Sequence, residues 1–374
     1  MASFFSNFFN KGAQGSVLGI DIGSSAIKIV QLRKKGGKAV LETYGELALG
    51  PYAKAEIGQA TNLPTEKIIE ALSDLMREKE VNITTNKCGI AIPFSSSLMS
   101  LIEMPMLPYK QLASMVPLEA RKYIPVPISE VTLDWSIVPR EEVAPTIPDE
   151  ASRNVPQTQK IERTDVLLVA IHNDTINKYQ EIVTKTGLDS SFIEIEIFST
   201  MRSVLEQSND PVMIFDMGAA TTKLYIVERG IVRVSHTINR GSQDITKTIS
   251  TSLNMSMKDA EVLKRSVGAE KGMGPDIKES VTMSLGYIFS EANQVVLSYQ
   301  KKYNKTIKKA ILVGGGSALR GLAPIAQQAL NMEVVAGNPF SKTEAPAFLE
   351  EVLKNTGPEF AVSVGLALRR LQDQ

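Results

Sequence analysis

The sequence of 374 residues has very few of the side chains that build disulfides and metal sites. It contains one cysteine, Cys88, so an internal disulfide is impossible, and this favours a reducing compartment. Its two histidines, His172 and His236, are too few and too isolated in sequence for a histidine metal site. A disulfide-stapled fold is therefore excluded, and a histidine metal centre is not expected.

Long apolar runs and an excess of one charge are also missing. No stretch approaches the roughly 18 consecutive apolar residues that a membrane-spanning helix needs. Lys plus Arg number 41 and Asp plus Glu number 41, so the formal net charge is zero. Nucleic-acid binding usually needs a strongly basic face, and the composition gives no support to it, so we expect no nucleic-acid partner.

The first residues, 1–16, do not have the basic start, apolar core and small-residue cleavage site of a signal peptide. They carry Phe4, Phe5, Phe8 and Phe9, whose spacing would place aromatic rings on one side of a helix. Two interpretations stay open: a short arm that is flexible or folds back on its own domain, or a docking element for a membrane surface or a partner.

Apolar patterning along the chain predicts an α/β protein with an insertion. Residues 17–22 and 26–32 read as buried strands, and 65–80 have the apolar period of an amphipathic helix. Between 94 and 164 the pattern of predicted strands and helices changes, and we expect a small inserted α+β subdomain. Within it, Pro117 should kink or divide a helix at 109–123. Residues 140–160 are rich in proline and polar residues without an apolar period, which is typical of a mobile loop.

A strand that ends in Asp-x-Gly and small residues occurs twice. It is found at Asp21–Ser25 and again at Asp216–Thr222, 195 residues later. In each copy the strand end fixes a carboxylate, and the glycine leaves backbone N–H groups able to face an anion. One such turn is a weak signal, because Asp-x-Gly also describes ordinary turns. Two copies, each entering a hairpin, predict two phosphate-binding loops.

Two facing phosphate loops on two lobes resemble the actin and Hsp70 superfamily. The first loop includes Lys28 at the spacing of a phosphate-contacting lysine, and Ile311–Ser317 resembles the superfamily's adenosine loop. Glu261, Lys264 and Arg265 resemble its Glu-x-x-Lys-Arg helix, and Glu196 resembles the residue of the first connecting helix that faces the attacking water. The predicted cofactor-binding residues are Asp21, Gly23, Ser24, Ser25, Lys28, Asp216, Gly218, Ala219, Thr221, Thr222, Gly241, Glu261, Lys264, Arg265, Gly314, Gly315 and Gly316.

The resemblance implies ATP or ADP with Mg²⁺ as the ligand. Asp21, Asp216 and Glu196 would converge on one cleft, where carboxylates repel one another and a hydrated divalent cation relieves the repulsion. The two aspartates would hold Mg²⁺ through its waters, and Glu196 is the candidate catalytic residue.

The insertion decides which member of the superfamily the chain resembles. Leu118–Pro125 is similar to the Glu-Ala-x-x-Tyr-Ile-Pro helix end of the PilM family of type IV pilus assembly proteins. That family implies a cytoplasmic scaffold at the inner face of the inner membrane. It also implies that the N-terminal tail of PilN binds in a groove formed with the insertion, near residues 95–123. The nucleotide motifs together with the inserted subdomain favour the hypothesis that nucleotide gates this binding. Further implied partners are the inner-membrane platform with its motor ATPases, and self-association.

Two alternatives stay open beside this ATP-binding scaffold. One is a filament former like the cell-division protein FtsA, and the other is an ATPase that acts by turnover. The predicted fold is actin-like, with duplicated RNase H-like lobes around a nucleotide cleft and an FtsA-type inserted α+β subdomain. The predicted boundaries are an aromatic arm at 1–16, a first lobe at 17–93 completed by 165–195 and 357–374, an insertion at 94–164, a second lobe at 196–240 and 305–356, and a helical subdomain at 241–304.

Overall fold

The computed structural model describes residues 15–138, 162–268 and 275–373, with the backbone alone at 275–280. The predicted loop at 140–160 and all but the last two residues of the predicted aromatic arm lie outside the described residues. The strands are β1 (Ser16–Ile22), β2 (Ala26–Lys35), β3 (Lys38–Ala48), β4 (Lys87–Ile92), β5 (Ser97–Pro105), β6 (Val131–Val138), β7 (Arg163–His172), β8 (Asp189–Ile195), β9 (Val212–Met217), β10 (Thr222–Glu228), β11 (Ile231–Ile238), β12 (Lys309–Val313) and β13 (Glu333–Ala336).

The α-helices alternate with these strands in the manner of an α/β protein. They are α1 (Thr65–Arg77), α2 (Tyr109–Ala120), α3 (Asn173–Lys185), α4 (Glu196–Val204), α5 (Ser242–Ser252), α6 (Met257–Val267), α7 (Pro275–Tyr303), α8 (Leu322–Leu330), α9 (Glu350–Thr356) and α10 (Ala361–Gln372). In the described ranges, no helix combines the length and apolarity needed to cross a bilayer.

The chain forms two compact units, one of residues 94–178 and one of everything before and after. The larger unit contains two five-stranded sheets with the same topology. Their strand orders are β3-β2-β1-β4-β8 and β11-β10-β9-β12-β13. In both, a central strand pairs antiparallel with the next strand of a hairpin and parallel with a later strand. The repeated Asp-x-Gly motif therefore belongs to a repeated fold.

Each sheet owes its stability to apolar side chains that its helices cover. In the first, Val17, Val30 and Leu32 pack with Val364 and Ala367 of α10. In the second, the apolar side chains of β9 and β10 pack with those of α5 and α7, including Met213, Phe215, Leu224, Ile245, Leu285 and Phe289. Burial of one side chain of this size stabilises the folded state by roughly 1.5–3 kcal/mol. Both cores therefore keep rigid the strands from which the two Asp-x-Gly loops start.

The smaller unit is a three-stranded antiparallel sheet, ordered β5-β7-β6, covered by α2. Leu112, Val116 and Ala120, one helical turn apart, are buried against Ile102 and Val166 of the sheet. Pro117 lies inside α2 without dividing it, contrary to one of the two outcomes expected from the sequence.

The structure ends this inserted unit at residue 178, later than the boundary of 164 expected from the sequence. The reason is β7, which pairs along its length with both β5 and β6 and is the central strand of their sheet. From Val166 to Ile171 the residues of β7 are apolar and buried or half-buried, so they read as a continuous apolar run, as a strand of the lobe sheet also would. The apolar pattern of residues 165–171 therefore could not assign this strand to its sheet.

Candidate functional site

Segments far apart in the sequence surround one cavity of about 310 Å³ in the larger unit. It lies where the two central strands, β1 and β9, end. Of the residues predicted from the sequence, those that line it are Asp21, Gly23, Ser24, Ser25, Lys28, Glu196, Asp216, Gly218, Ala219, Thr221, Glu261, Lys264, Arg265, Gly314, Gly315 and Gly316. The predicted residues thus come together around a single space.

The first loop is held in a conformation that turns a donor away from its supports. Gly23 N–H donates to the Ala26 carbonyl at 3.0 Å and closes the turn. The Ser24 carbonyl accepts from Thr61 N–H at 2.8 Å, and the Ser25 carbonyl accepts from Leu49 N–H at 2.8 Å. In a trans peptide the N–H points opposite to the C=O, so the N–H of Ser25 points away from Thr61. Such a fixed, turned-out amide suits an anion.

The second loop repeats this arrangement with different supports. Gly218 N–H donates to the Thr221 carbonyl at 2.9 Å. The carbonyls of Gly218 and Ala219 accept from Ser242 and Gln243 N–H at 2.9 and 3.0 Å, in the first turn of α5. The N–H groups of Ala219 and Ala220 therefore point away from α5, by the same trans-peptide geometry. Both loops present backbone donors held by hydrogen bonds behind them.

Two of the predicted residues, Thr222 and Gly241, do not line the cavity. The Thr222 hydroxyl is buried and donates to the Arg240 carbonyl at 2.8 Å. Gly241 precedes α5, and its N–H donates to the Asp244 carboxylate at 2.9 Å. Both residues support the second loop from outside the cavity.

The carboxylates of Asp21, Asp216 and Glu196 face one another in the cavity. Burial, reinforced by Glu196, raises the pKa of Asp21 from 3.8 to about 7, against the opposing effect of Lys28. Burial also raises the pKa of Asp216, while Lys223 opposes this shift. Crowded carboxylates of this kind favour a proton or a cation among them. In the described residues there is no group of three or more acidic, histidine or cysteine side chains suited to ligate a metal directly.

A lysine in the same cluster, Lys223, was not among the predicted site residues. Its ammonium lies 2.7 Å from Glu196 Oε2 and 3.7 Å from Asp216 Oδ2. Burial alone would lower the pKa of Lys223, but Glu196 and Asp216 outweigh it and raise the pKa, so the ammonium keeps its charge. A sequence signal existed, because Lys223 follows Asp216 by seven residues, as Lys28 follows Asp21.

The two lysines occupy equivalent places in the repeated fold but have different partners. Lys28 pairs with Asp21 across the β1–β2 hairpin, and Lys223 pairs with Asp216 across β9–β10. The Lys28 ammonium lies 3.7 Å from Oε1 of the half-exposed Glu46. Glu359, which also lines the cavity without having been predicted, has its pKa raised by burial, with Lys28 opposing.

The opposite wall of the cavity combines α6 with the glycine turn after β12. Glu261 pairs with Lys264 at 2.7 Å and with Arg265 at 2.8 Å, and accepts from the Thr246 hydroxyl at 2.6 Å. Gly314 has φ of 82°, and a Cβ there would lie 2.6 Å from the Met217 carbonyl oxygen and closer still to the Asp216 carboxylate. Only glycine lets this turn approach the second loop so closely.

Two lobes of one topology, with two Asp-x-Gly loops around one cleft, define the actin-like fold. The model of a family described as type IV pilus assembly protein PilM matches residues 19–371. The chain belongs to that family.

The chain is also similar to single proteins. FtsA, a cell division protein of Neisseria meningitidis serogroup B, is 24% identical over 227 residues, which are 54% of this chain and 53% of FtsA. The solved PilM–PilN type IV pilus biogenesis complex has a chain 24% identical, with a TM-score of 0.77, over 96% of this chain and 99% of that one. The ethanolamine utilization protein EutJ of Carboxydothermus hydrogenoformans is 14% identical, with a TM-score of 0.53, over 96% and 91%. These structures share the actin-like fold predicted from the sequence.

Proposed function

We propose that this chain is an ATP-binding scaffold of the type IV pilus assembly platform, peripheral to the inner face of the inner membrane. Its larger unit holds ATP or ADP with Mg²⁺, and its inserted unit takes the N-terminal tail of a PilN protein. The observation that carries the nucleotide part is the pair of supported loops whose amides are turned out beside one acidic cavity.

The residues present fit a nucleotide with a hydrated cation. The turned-out amides of Ser25 and Ala219 suit phosphate oxygens. Lys28 adds a positive charge on the wall of the same cavity, where it also pairs with Glu46. Gly314 approaches the second loop too closely for a side chain, and we infer that the base lies against this bare stretch of backbone. Asp21 and Asp216 would hold the cation through its waters, since Mg²⁺ keeps several waters in such sites. When bound, Mg²⁺ would neutralise part of the negative charge of the phosphates.

A scaffold that binds rather than turns over ATP agrees with the environment of Glu196. A residue that orients an attacking water needs a carboxylate oxygen directed at that water. Here one oxygen of Glu196 is engaged by the Lys223 ammonium at 2.7 Å. We therefore infer at most slow hydrolysis.

Mg-ATP is expected to raise the melting temperature of the protein. A ligand at a hundredfold over its Kd stabilises the native state by about 2.7 kcal/mol. Gly314→Ala is expected to abolish the shift, because the methyl group collides with Asp216 and Met217. Differential scanning fluorimetry with and without Mg-ATP measures both.

The control for this substitution is Gly230→Ala. Gly230 also has a positive φ, 74°, but a Cβ there meets nothing within 4 Å. Both variants carry the cost of a left-handed alanine, roughly 1 kcal/mol, and only the control should keep the ATP shift. An unchanged melting temperature of the wild type in saturating Mg-ATP would reject the nucleotide site.

The inserted unit has the surface expected of a peptide-binding module. Of the large apolar side chains that are exposed in the described residues, six lie in it: Met106, Tyr109, Met115, Leu118, Tyr123 and Ile137. Met115 and Leu118 share the face of α2 that points away from its core residues, and Tyr109 stacks on Trp135 at 5.0 Å. Clustered exposed apolar groups of this kind mark interaction surfaces.

Leu118→Glu is expected to weaken binding of a synthetic PilN N-terminal peptide by at least about tenfold, the effect of losing 1.4 kcal/mol of apolar contact. Fluorescence anisotropy of a labelled peptide measures the affinity. Leu297→Glu is the matched control, because Leu118 and Leu297 are both helical and are 61% and 63% exposed, but Leu297 lies on α7 of the other unit. Equal loss in the two variants would argue against docking on α2.

The same titration in Mg-ATP and in nucleotide-free buffer tests gating. We expect the two affinities to differ, since a nucleotide can bias a partner only through a state that the partner also distinguishes. Equal affinities would mean that the scaffold binds PilN regardless of nucleotide. The absence of binding in both conditions would reject PilN as the partner.

A further inference from the structure

The ammonium of Lys223 lies among carboxylates of the cavity. Its backbone belongs to β10 and is paired with Asp216 across the β9–β10 hairpin, so the position of the side chain is set by a rigid sheet. The ammonium is within 2.7 Å of Glu196 and 3.7 Å of Asp216, and the side chain is only 15% exposed. Both carboxylates line the cavity beside the second loop. Without Lys223, a hydrated cation would have to neutralise their charge.

The repeated fold provides an internal comparison for this residue. Lys28 stands at the equivalent place beside the first loop, yet it pairs with the half-exposed Glu46, at 3.7 Å. The Lys28 side chain is about as buried, at 12% exposed, but the carboxylate it pairs with is 3.7 Å away, so its ammonium can turn to a ligand with less loss. Lys223 is held between two buried carboxylates, and moving it would remove the ammonium that lies within 2.7 Å of one and 3.7 Å of the other, which is strongly unfavourable in a buried site. The two lysines therefore occupy equivalent positions in the repeated fold but differ in their ion pairs.

The charged side chains around the cavity also indicate a need for a cation beside Glu196 and Asp216. The carboxylates that line the cavity outnumber its cations by two when all are ionised; they are Asp21, Glu46, Glu196, Asp216, Glu261 and Glu359, against Lys28, Lys223, Lys264 and Arg265. Without Lys223, Glu196 and Asp216 would repel each other directly. A divalent cation and a fixed ammonium are two ways to meet that repulsion.

We propose that Lys223 is an internal cation of the cleft, which neutralises Glu196 and Asp216 from the protein side and reduces the need for a divalent cation there. The proposal deepens the nucleotide site proposed above and rests on it where ATP is concerned. It makes this chain a weakly magnesium-dependent nucleotide binder.

The test is the magnesium dependence of melting temperature in the wild type and in Lys223→Met. In the wild type we expect the ATP-induced shift to survive in EDTA, and Mg²⁺ alone to have little effect. In Lys223→Met we expect the apparent affinity for ATP in EDTA to fall by about tenfold or more, the effect of losing one favourable charge contact. Mg²⁺ should restore it, and Mg²⁺ alone, without ATP, should now raise the melting temperature.

Three further variants separate this role from others. Lys223→Arg keeps the charge and should behave as the wild type. Lys223→Met with Glu196→Gln removes the ammonium and one carboxylate together, so it should fold where the single variant is too unstable, and should lose the added magnesium dependence. Lys28→Met should weaken ATP binding in EDTA and in Mg²⁺ alike, because its proposed contact is with phosphate.

Each outcome decides the matter. The same magnesium dependence in Lys223→Met and in the wild type overturns the proposal. Loss of ATP binding in Lys223→Met both with and without Mg²⁺ would make Lys223 a phosphate ligand and also overturns it. The ATP-free arm keeps the two proposals apart: failure of ATP to shift any variant rejects the nucleotide site, while stabilisation of Lys223→Met by Mg²⁺ alone still supports the internal cation.

Discussion

Gly365→Ala is expected to destabilise the protein by about 3 kcal/mol or more, the upper part of the range for overpacked cores. Gly365 lies in α10, and a Cβ built on it would lie 2.5 Å from the Ser199 carbonyl carbon and closer still to its oxygen. The obstacle is backbone of α4, which no rotamer change can move. The two helices would have to separate.

That separation would also break an ionic cluster between the same helices. Glu194 is buried and accepts from Arg202 at 2.6 Å, from the Ser199 hydroxyl at 2.5 Å, and from Arg369 of α10. Arg202 further donates to the Gly365 carbonyl at 3.0 Å. Removing partners from a buried carboxylate is costly, because the charge is left without compensation. The cluster therefore adds to the steric effect of the added methyl group.

Urea denaturation followed by circular dichroism measures the loss, and Gly286→Ala is the control. Gly286 is also inside a long helix, α7, but is exposed, and a Cβ there meets nothing within 4 Å. Alanine at such a position is expected to stabilise by roughly 0.5–1 kcal/mol. If Gly365→Ala yields no cooperative transition at all, the expectation also holds. A midpoint equal to that of the wild type would show that α4 and α10 are not in the close contact described.

The parts of the site that could be predicted from sequence are those written in short, local patterns. Asp21 and Asp216 each stand at the end of a buried strand before a glycine, and the fold places both at the rim of one cavity. Glu196 was the least local of these predictions, and it is the first residue of α4 and faces the same cavity. A carboxylate or glycine at a strand end is positioned by its own strand, so the local pattern is enough.

The parts that could not be predicted depend on which strands pair. Lys223 repeats the spacing of Lys28, but its ion pair with Glu196 joins residues 27 positions apart through a sheet and a helix end. The assignment of β7 to the inserted sheet likewise depends on pairing with β5, whose partner residues lie more than 50 positions away. Apolar periodicity reports burial and not the identity of the neighbour.

The stability of the ligand-free protein is expected to fall as pH rises from about 4 to about 7, and Asp21 is the cause. Its pKa is about 7 in the folded chain and 3.8 as an ordinary aspartate, chiefly because burial disfavours the charged form. Between these values the folded state holds a proton that the unfolded state has lost. Each pH unit in this window therefore removes up to about 1.4 kcal/mol of stability, and above it the loss is complete.

Asp21→Asn removes this dependence, because an amide cannot ionise. The free energy of unfolding of the variant, measured by urea titration in EDTA at several pH values, should exceed that of the wild type by an amount that grows from pH 5 to pH 8. Asp189→Asn is the control for loss of one carboxylate outside the cavity, because Asp189 is exposed at the start of β8. With Mg-ATP present the difference at pH 8 should become smaller, since only the ionised aspartate can hold a hydrated cation. A constant difference between wild type and Asp21→Asn across this range would mean that Asp21 ionises as freely in the folded chain as in the unfolded one, and that burial in the cavity does not hold its proton.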